Sequence, residues 1–274
     1  MDAHAAWRVG CVSYLNSTPL IDGLDISASG AGGVRVMVDV PSRLLARLEA
    51  REVDLALCPV IDYHRAAAPL KIVPNGGICC CGPTLTVRLF SRVPIANITR
   101  LHADTDSHTS AALVRILLKR VHGVMPEMIP LRSGVDATAA LGAQPEAVLL
   151  IGDKVVTDSP PAVLYPHQLD LGEAWHELTG LPFVFAVWMA HADADLGALP
   201  VRLAQQLEHN LGRIDAIARR HAPGHGWPVD LAERYLGRVL QYPIGVEELQ
   251  AIRVFSQMLD EDGLIDAARS IPDP

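Results

Sequence analysis

Several features are missing from this chain, and each absence closes off a class of function. No block of Lys or Arg is long enough to make a basic stripe, and the net charge is −8 with a pI near 5.7. Nucleic acid and anionic membrane surfaces are therefore poor partners. Apolar runs are short: Leu181–Ala190 is about the longest, well under the roughly 18 residues that span a bilayer. Met1–Trp7 has no cationic stretch leading into an apolar one, so no secretory signal is expected. Together these absences predict a soluble, cytoplasmic protein. Cysteine is scarce and odd in number, at Cys11, Cys58, Cys79, Cys80 and Cys81. Five thiols without an export signal argue against a disulfide framework. The triple run lacks metal-site spacing, because neighbouring strand residues point to opposite faces and no second Cys or His pair follows. It reads as small apolar residues of a buried strand. His176, His209, His221 and His225 are scattered, again without metal spacing. Phosphate loops, dinucleotide fingerprints, serine-hydrolase elbows and zinc-protease motifs are all absent. No metal and no cofactor is expected.

What is present is a large apolar fraction arranged in alternation. Half of the 274 residues are apolar, enough for one large core or two smaller ones. Trp7–Val12, Val34–Val38 and Asp54–Pro59 read as strands, separated by a helix opening at Pro41 with Leu44, Leu45 and Leu48 on one face. Val60–Ala67 is helix-like. Leu70–Val73, Ile78–Cys81 and Leu85–Phe90 are strand-like, with Gly76, Gly77, Gly82 and Pro83 as breakers. The pattern restarts after Pro94: strands at His102–Asp104, Met128–Leu131 and Ala147–Ile151 alternate with helices at Ser110–Val121 and Gly134–Leu141. Leu171–Thr179 reads as a helix, Phe183–Met189 as a wholly apolar strand, and the last 75 or so residues as mainly helical. Alternation of this kind implies helix-covered sheets. Two short runs imply two lobes, 1–90 with 188–274 and 91–187, the chain crossing out and back with a cleft between them.

The stretch Ser13-Tyr14-Leu15-Asn16-Ser17-Thr18-Pro19 follows the first strand. In an open α/β sheet, ligands sit outside the carboxyl ends of strands, so these polar groups are candidates for a site. By itself the stretch reads equally as a turn held by side-chain to backbone bonds. Four further pieces accompany it: Gly82-Pro83-Thr84-Leu85-Thr86; Ser107-His108-Thr109-Ser110 opening a helix; Ile151-Gly152-Asp153; and Asp170-Leu171-Gly172 with Trp175 and Thr179 through Trp188. Through these pieces the chain resembles the menaquinone-biosynthesis family that includes the chorismate dehydratases of the futalosine route. The resemblance runs from residue 13 to 188, and the C-terminal helices carry no sharp motif.

The resemblance implies an α/β fold similar to type II periplasmic binding proteins, each lobe a helix-covered mixed sheet with two crossovers between them. It also implies dehydration of chorismate, a small dicarboxylate, to a carboxyvinyloxy-benzoate, with no cofactor and no nucleic-acid or membrane partner, by a monomer or homodimer. The family also holds a later, dihydroxynaphthoate-forming enzyme with a Ser-Pro-Cys-Pro-Asn type of opening, which Tyr14-Leu15-Asn16 disfavours. A binding protein that releases its ligand unchanged is the third reading, since fold alone does not fix function.

Carried onto these residues, the resemblance makes Asn16 the catalytic candidate, orienting the leaving hydroxyl or a substrate carboxylate. An amide has no useful pKa and cannot be the base; a carboxylate of the substrate itself is the expected proton acceptor. Ser13, Tyr14, Thr84, Thr86, Ser107, His108, Thr109, Ser110 and Asp153 are the expected substrate contacts. Hydroxyls beside free N–H groups at a helix start suit an anion without formal charge, and the same residues serve as helix caps. Thr84 and Thr86 also read as β-branched strand formers. The family usually has Ser at the position of Thr86 and Arg at that of His108, which reads either as a carboxylate contact or as a solvated surface residue. Tyr14 stacks on the substrate ring or joins the core. Asp153 faces the cleft or caps the next helix, and the cap is the favoured reading.

Overall fold

The computed structural model describes residues 6–24, 33–131, 142 and 144–271. Eleven strands are described, in two mixed sheets. The first, of six strands, contains β1 (Trp7–Val12), β2 (Val34–Asp39), β3 (Leu55–Pro59), β4 (Leu70–Cys80), β10 (Phe183–His191) and β11 (Leu240–Gln241), in the order β11-β4-β10-β3-β1-β2. The second, of five strands, contains β5 (Val87–Ser91), β6 (Arg100–Asp104), β7 (Glu127–Leu131), β8 (Ala147–Ile151) and β9 (His167–Asp170), in the order β7-β6-β8-β5-β9. β1 pairs in parallel with β2 and β3, whereas β10 runs antiparallel to β3 and β4. In the second sheet β6 is parallel to β7 and β8, and β5 is antiparallel to β8 and β9.

The unbroken apolar run Phe183–Ala190, with His191 after it, becomes a central strand, all nine residues buried, as a strand covered on both faces requires. Its aromatic residues help to join the lobes. Trp175, from the helix Leu171–Thr179, meets Phe183 at 5.1 Å and Phe255, from the C-terminal helix Val246–Glu261, at 5.9 Å between ring centroids, both edge to face. One buried cluster contains side chains of both sheets, and a smaller one with Phe90, Val148 and Tyr165 lies in the second lobe.

The structure departs from the sequence reading at several points. Leu70–Val73 and Ile78–Cys81 are one strand, β4, which carries irregular register against β10 rather than breaking at the glycines. Gly77 is required there, because a Cβ would stand 2.7 Å from the carbonyl oxygen of Ala186. β4 ends at Cys80, and Cys81 is exposed rather than part of a buried run. β9 and the two-residue β11 had no distinct pattern. Residues 90/91 and 187/188, expected as lobe boundaries, fall inside β5 and β10; the sheets exchange the chain between Cys80 and Val87 and between Asp170 and Phe183. The expected helix Gly134–Leu141 lies outside the described residues. Among the described residues, no helix is long and apolar enough to cross a membrane.

Candidate functional site

A cavity lies where the carboxyl ends of strands from both sheets face each other. Val12 ends β1, Pro59 ends β3, Ser107 follows β6, Ile151 ends β8 and Gly152 follows it; all line it. Of the expected site residues, Tyr14, Asn16, Thr84, Thr86, Ser107 and Ser110 are brought together there, and Tyr235 and Phe185 join them. No Asp, Glu, Lys, Arg or His lines the cavity among the described residues. The cavity volume is about 40 Å³, space for roughly three waters at 10–15 Å³ each. A ring bearing two carboxylates enters only if the lobes separate.

Asn16 sits on a short 3-10 turn, Leu15–Ser17, immediately after β1. The turn is pinned by the Ser17 hydroxyl, which donates to the Val12 carbonyl at 2.6 Å, and by Thr18 Oγ1, which donates to the Leu15 carbonyl at 2.8 Å. So the sequence is a turn and also a cavity wall. Asn16 Oδ1 is buried with no hydrogen-bond partner, unusual for a buried polar atom. Beside it the Tyr235 hydroxyl lies 2.6 Å from Thr86 Oγ1. Burial pushes the Tyr235 phenol well above its ordinary range, with Thr86 and Asn16 opposing the shift, so this hydroxyl stays protonated.

Ser107 caps the helix His108–His122: its Oγ accepts from the Ser110 N–H at 3.2 Å and donates to Ser110 Oγ at 3.0 Å. The cap and the cavity wall are the same two residues. The other two members of that motif lie elsewhere. Thr109 is fully buried, its Oγ1 accepting from the Ile61 N–H at 3.3 Å. His108 lines a separate groove, and its Nδ1 stands 2.8 Å from Oδ1 of the fully buried Asp62. It is neither in the cavity nor merely solvated, as the sequence reading had it. Burial raises the Asp62 carboxyl, with the His108 hydrogen bond opposing. Ser13 faces a neighbouring groove with Asp22 and His221.

Thr84 and Thr86 lie on the outgoing crossover, and a carboxylate of the returning one holds them. Asp170 accepts from the Thr84 and Leu85 N–H groups at 2.9 and 2.8 Å, while also capping its own helix through Gly172 N–H at 3.0 Å. Between the threonines, Leu85 takes a left-handed φ of 66°, a strained conformation for a branched residue that must be enforced by its surroundings. With Leu85 in that conformation, the expected strand Leu85–Phe90 begins two residues later, at Val87.

Charged groups gather on the rim. Asp153 occupies the N-cap position of a short helix, Lys154–Thr157, but its side chain does not cap it. It reaches to the other lobe, accepting from Leu15 N–H at 3.2 Å and Trp227 Nε1–H at 2.9 Å, with His225 Nδ1 at 2.8 Å. Lys154 pairs with Asp104 and, at 2.9 Å, with Asp106. Tyr14 donates to Asp106 at 3.1 Å and packs on Gly152, where a Cβ would come within 2.7 Å of the ring. Burial raises the Asp104 carboxyl against the pull of Lys154. Tyr14 is thus neither plain core nor free to lie anywhere on a ring; its hydroxyl is engaged across the cleft.

Tyr235, Trp227 and His225 escaped the sequence reading because they sit in the motif-poor C-terminal region. Tyr235 opens a π-helical segment, Tyr235–Val239, a distortion common at functional sites, and its ring stacks on Trp227 at 4.8 Å. A π-segment has no composition that announces it.

Two sheets, two crossovers and a cleft at strand ends define the periplasmic-binding-protein class of fold. Solved structures agree: protein AF1704 from Archaeoglobus fulgidus superposes with a TM-score of 0.69 at 15% identity, covering 94% of this chain and 98% of that one. The alkanesulfonate-binding protein SsuA from Xanthomonas axonopodis pv. citri, bound to MOPS, gives 0.68 at 17% identity, covering 98% and 96%. Within that class the chain belongs to the menaquinone biosynthesis family, whose pattern it matches over residues 7–261. It is 28% identical over 266 residues to the chorismate dehydratase of Thermus thermophilus, covering 92% of this chain and 94% of the relative.

Proposed function

We propose that this protein is a chorismate dehydratase, a carbon–oxygen lyase that removes water from chorismate to leave a carboxyvinyloxy-benzoate. The observation that carries the reading is the convergence of Asn16, Thr84, Thr86, Ser107 and Ser110 on one cavity with no Asp, Glu, Lys, Arg or His in its lining. A cytoplasmic biosynthetic enzyme with this small dicarboxylate as its partner, acting as a monomer or homodimer, fits the family.

Ser107, Ser110 and the free N–H groups of their helix start receive one carboxylate. Asn16 and Thr86 meet the ring hydroxyl. With no carboxylate, lysine or histidine in the lining, a carboxylate of the substrate takes the ring proton; the ring carbon–oxygen bond then breaks, the carboxyl so formed returns that proton to the departing hydroxyl, and water leaves as the ring becomes aromatic. Neutral donors suit this step. An Arg beside the carboxylate would stabilise its charged form and make it a weaker base, whereas a dry cavity raises its basicity. Incubation with chorismate should yield an aromatic product lighter by one water, read by mass and ultraviolet absorbance. Absence of that product overturns the reading. Asn16→Ala should abolish most turnover in the same assay; near-normal turnover would remove Asn16 from its assigned role.

A further inference from the structure

Beside the cavity lies a larger groove that the dehydration does not use. Its volume is about 300 Å³, against about 40 Å³ for the cavity, and among the described residues Ser107 alone lines both. Much of the groove is apolar, with Ala111, Met128, Ile129 and Leu264 in its lining, and Arg65, Arg115 and His108 share it. A few polar groups in a mainly apolar wall is the usual make-up of a small-molecule site.

The charge on this groove is one-sided. Arg65 and Arg115 are exposed, and among the described residues neither makes a hydrogen bond or an ion pair. Arg65 acts on the buried Asp62 only beyond ion-pair reach, and that carboxylate is taken by His108 at 2.8 Å. Asp104, also in the lining, is taken by Lys154. Asp262, beside Arg115, is taken by Lys119 at 2.7 Å and Arg120 at 3.0 Å. In a chain of net charge −8, two guanidiniums left over on one groove favour an anionic ligand. Arg65 ends the helix Asp62–Arg65 of the first lobe, and Arg115 lies on the helix His108–His122 of the second. A single ligand there touches both lobes.

We propose that this groove is a second binding site, separate from the cavity, for an aromatic monocarboxylate. Arg65 and Arg115 take the carboxylate, whose two oxygens match the fork of N–H donors on a guanidinium. The apolar wall takes the ring, and the Met128 thioether and the guanidinium planes suit a flat partner. A cavity of about 150 Å³ holds benzene, so the groove has room for two fused rings. An inorganic anion would satisfy the arginines and leave the apolar wall wet.

The test titrates the full-length protein with 1-naphthoate by isothermal titration calorimetry, with uncharged 1-naphthamide and inorganic phosphate as controls. Wild type should bind 1-naphthoate, and each control at least about tenfold more weakly. Excess chorismate, together with any product it leaves, should not displace the naphthoate. Arg65→Gln should weaken binding about tenfold and Arg115→Glu should abolish it; both sites are exposed, so the melting temperature should stay at the wild-type value. Absence of naphthoate binding, displacement by chorismate, or an affinity unchanged in Arg115→Glu overturns the proposal. Phosphate binding as tight as that of naphthoate overturns it as well, because the apolar wall then contributes nothing. The outcome is independent of the dehydratase reading: a protein that dehydrates chorismate and ignores naphthoate keeps that function and loses the second site.

Discussion

The inside of the cleft and its rim are built from opposite chemistry. Inside, polar contacts come from amide and hydroxyl groups: Asn16, Thr84, Thr86, Ser107, Ser110 and Tyr235. On the rim, Asp153 with His225, Lys154 with Asp104 and Asp106, and Asp62 with His108 join one lobe to the other or brace the residues that do. Carboxylate contacts hold lobe to lobe, and neutral dipoles line the cavity. In the proposed reaction the substrate supplies its own base, and a lining without positive charge spares that carboxylate the loss of basicity an Arg would cause.

The contrast breaks most directly if charge is moved inside. Asn16→Asp is nearly isosteric and puts an anion where the substrate is anionic, so kcat/KM for chorismate should fall about a hundredfold or more while the melting temperature changes little. Removing charge from the rim should act differently. Asp153→Ala leaves the Leu15 and Trp227 N–H groups without their acceptor and His225 without its carboxylate, costing about 2 kcal/mol in denaturant titration. Its kinetic loss should be mainly in KM, because the closed state becomes less populated. A loss confined to kcat would contradict that division.

A milder effect should come with pH. His64, hydrogen-bonded to Ser256 and to the Arg269 N–H, is held neutral down to about 4 by burial, reinforced by Arg269, against an ordinary value of 6.5. Between those values the unfolded chain binds the extra proton, so the contribution is whole above about pH 6.5 and shrinks as pH falls toward 4. Urea titrations at pH 7 and 5 should register the drop, and His64→Gln should flatten it. Smallest of all should be Arg51→Ala. Its pair with Asp193 is exposed on both sides, and such pairs contribute little; a clear fall in melting temperature would mean that rim and surface charges are not distinct classes.

Much of the fold was legible because period and burial agree. Phe183–Met189 reads as a buried strand and is one, and Leu44 and Leu48 mark a real helix face. The cavity was legible where residues adjacent in sequence end strands, as Asn16 and Ser107 do. Asp153 was misread since an N-cap position and a cross-cleft acceptor look alike in one dimension. His108 was misread since its partner, Asp62, is 46 positions away. Tyr235 was silent because its partner, Thr86, is 149 positions away. Gly76 and Gly77 read as breakers, yet one lets β4 pass a neighbouring carbonyl, a requirement set by packing rather than by turn chemistry.

Asp170 has a mechanical consequence. By gripping the outgoing crossover at Thr84 and Leu85 from the start of the returning one, it acts as a single pin through both straps of the joint. Such a joint swings far more readily than it slides or twists. When the lobes part, the first lobe, with Asn16 and Tyr235 on it, is therefore expected to turn as one leaf about a line near that carboxylate.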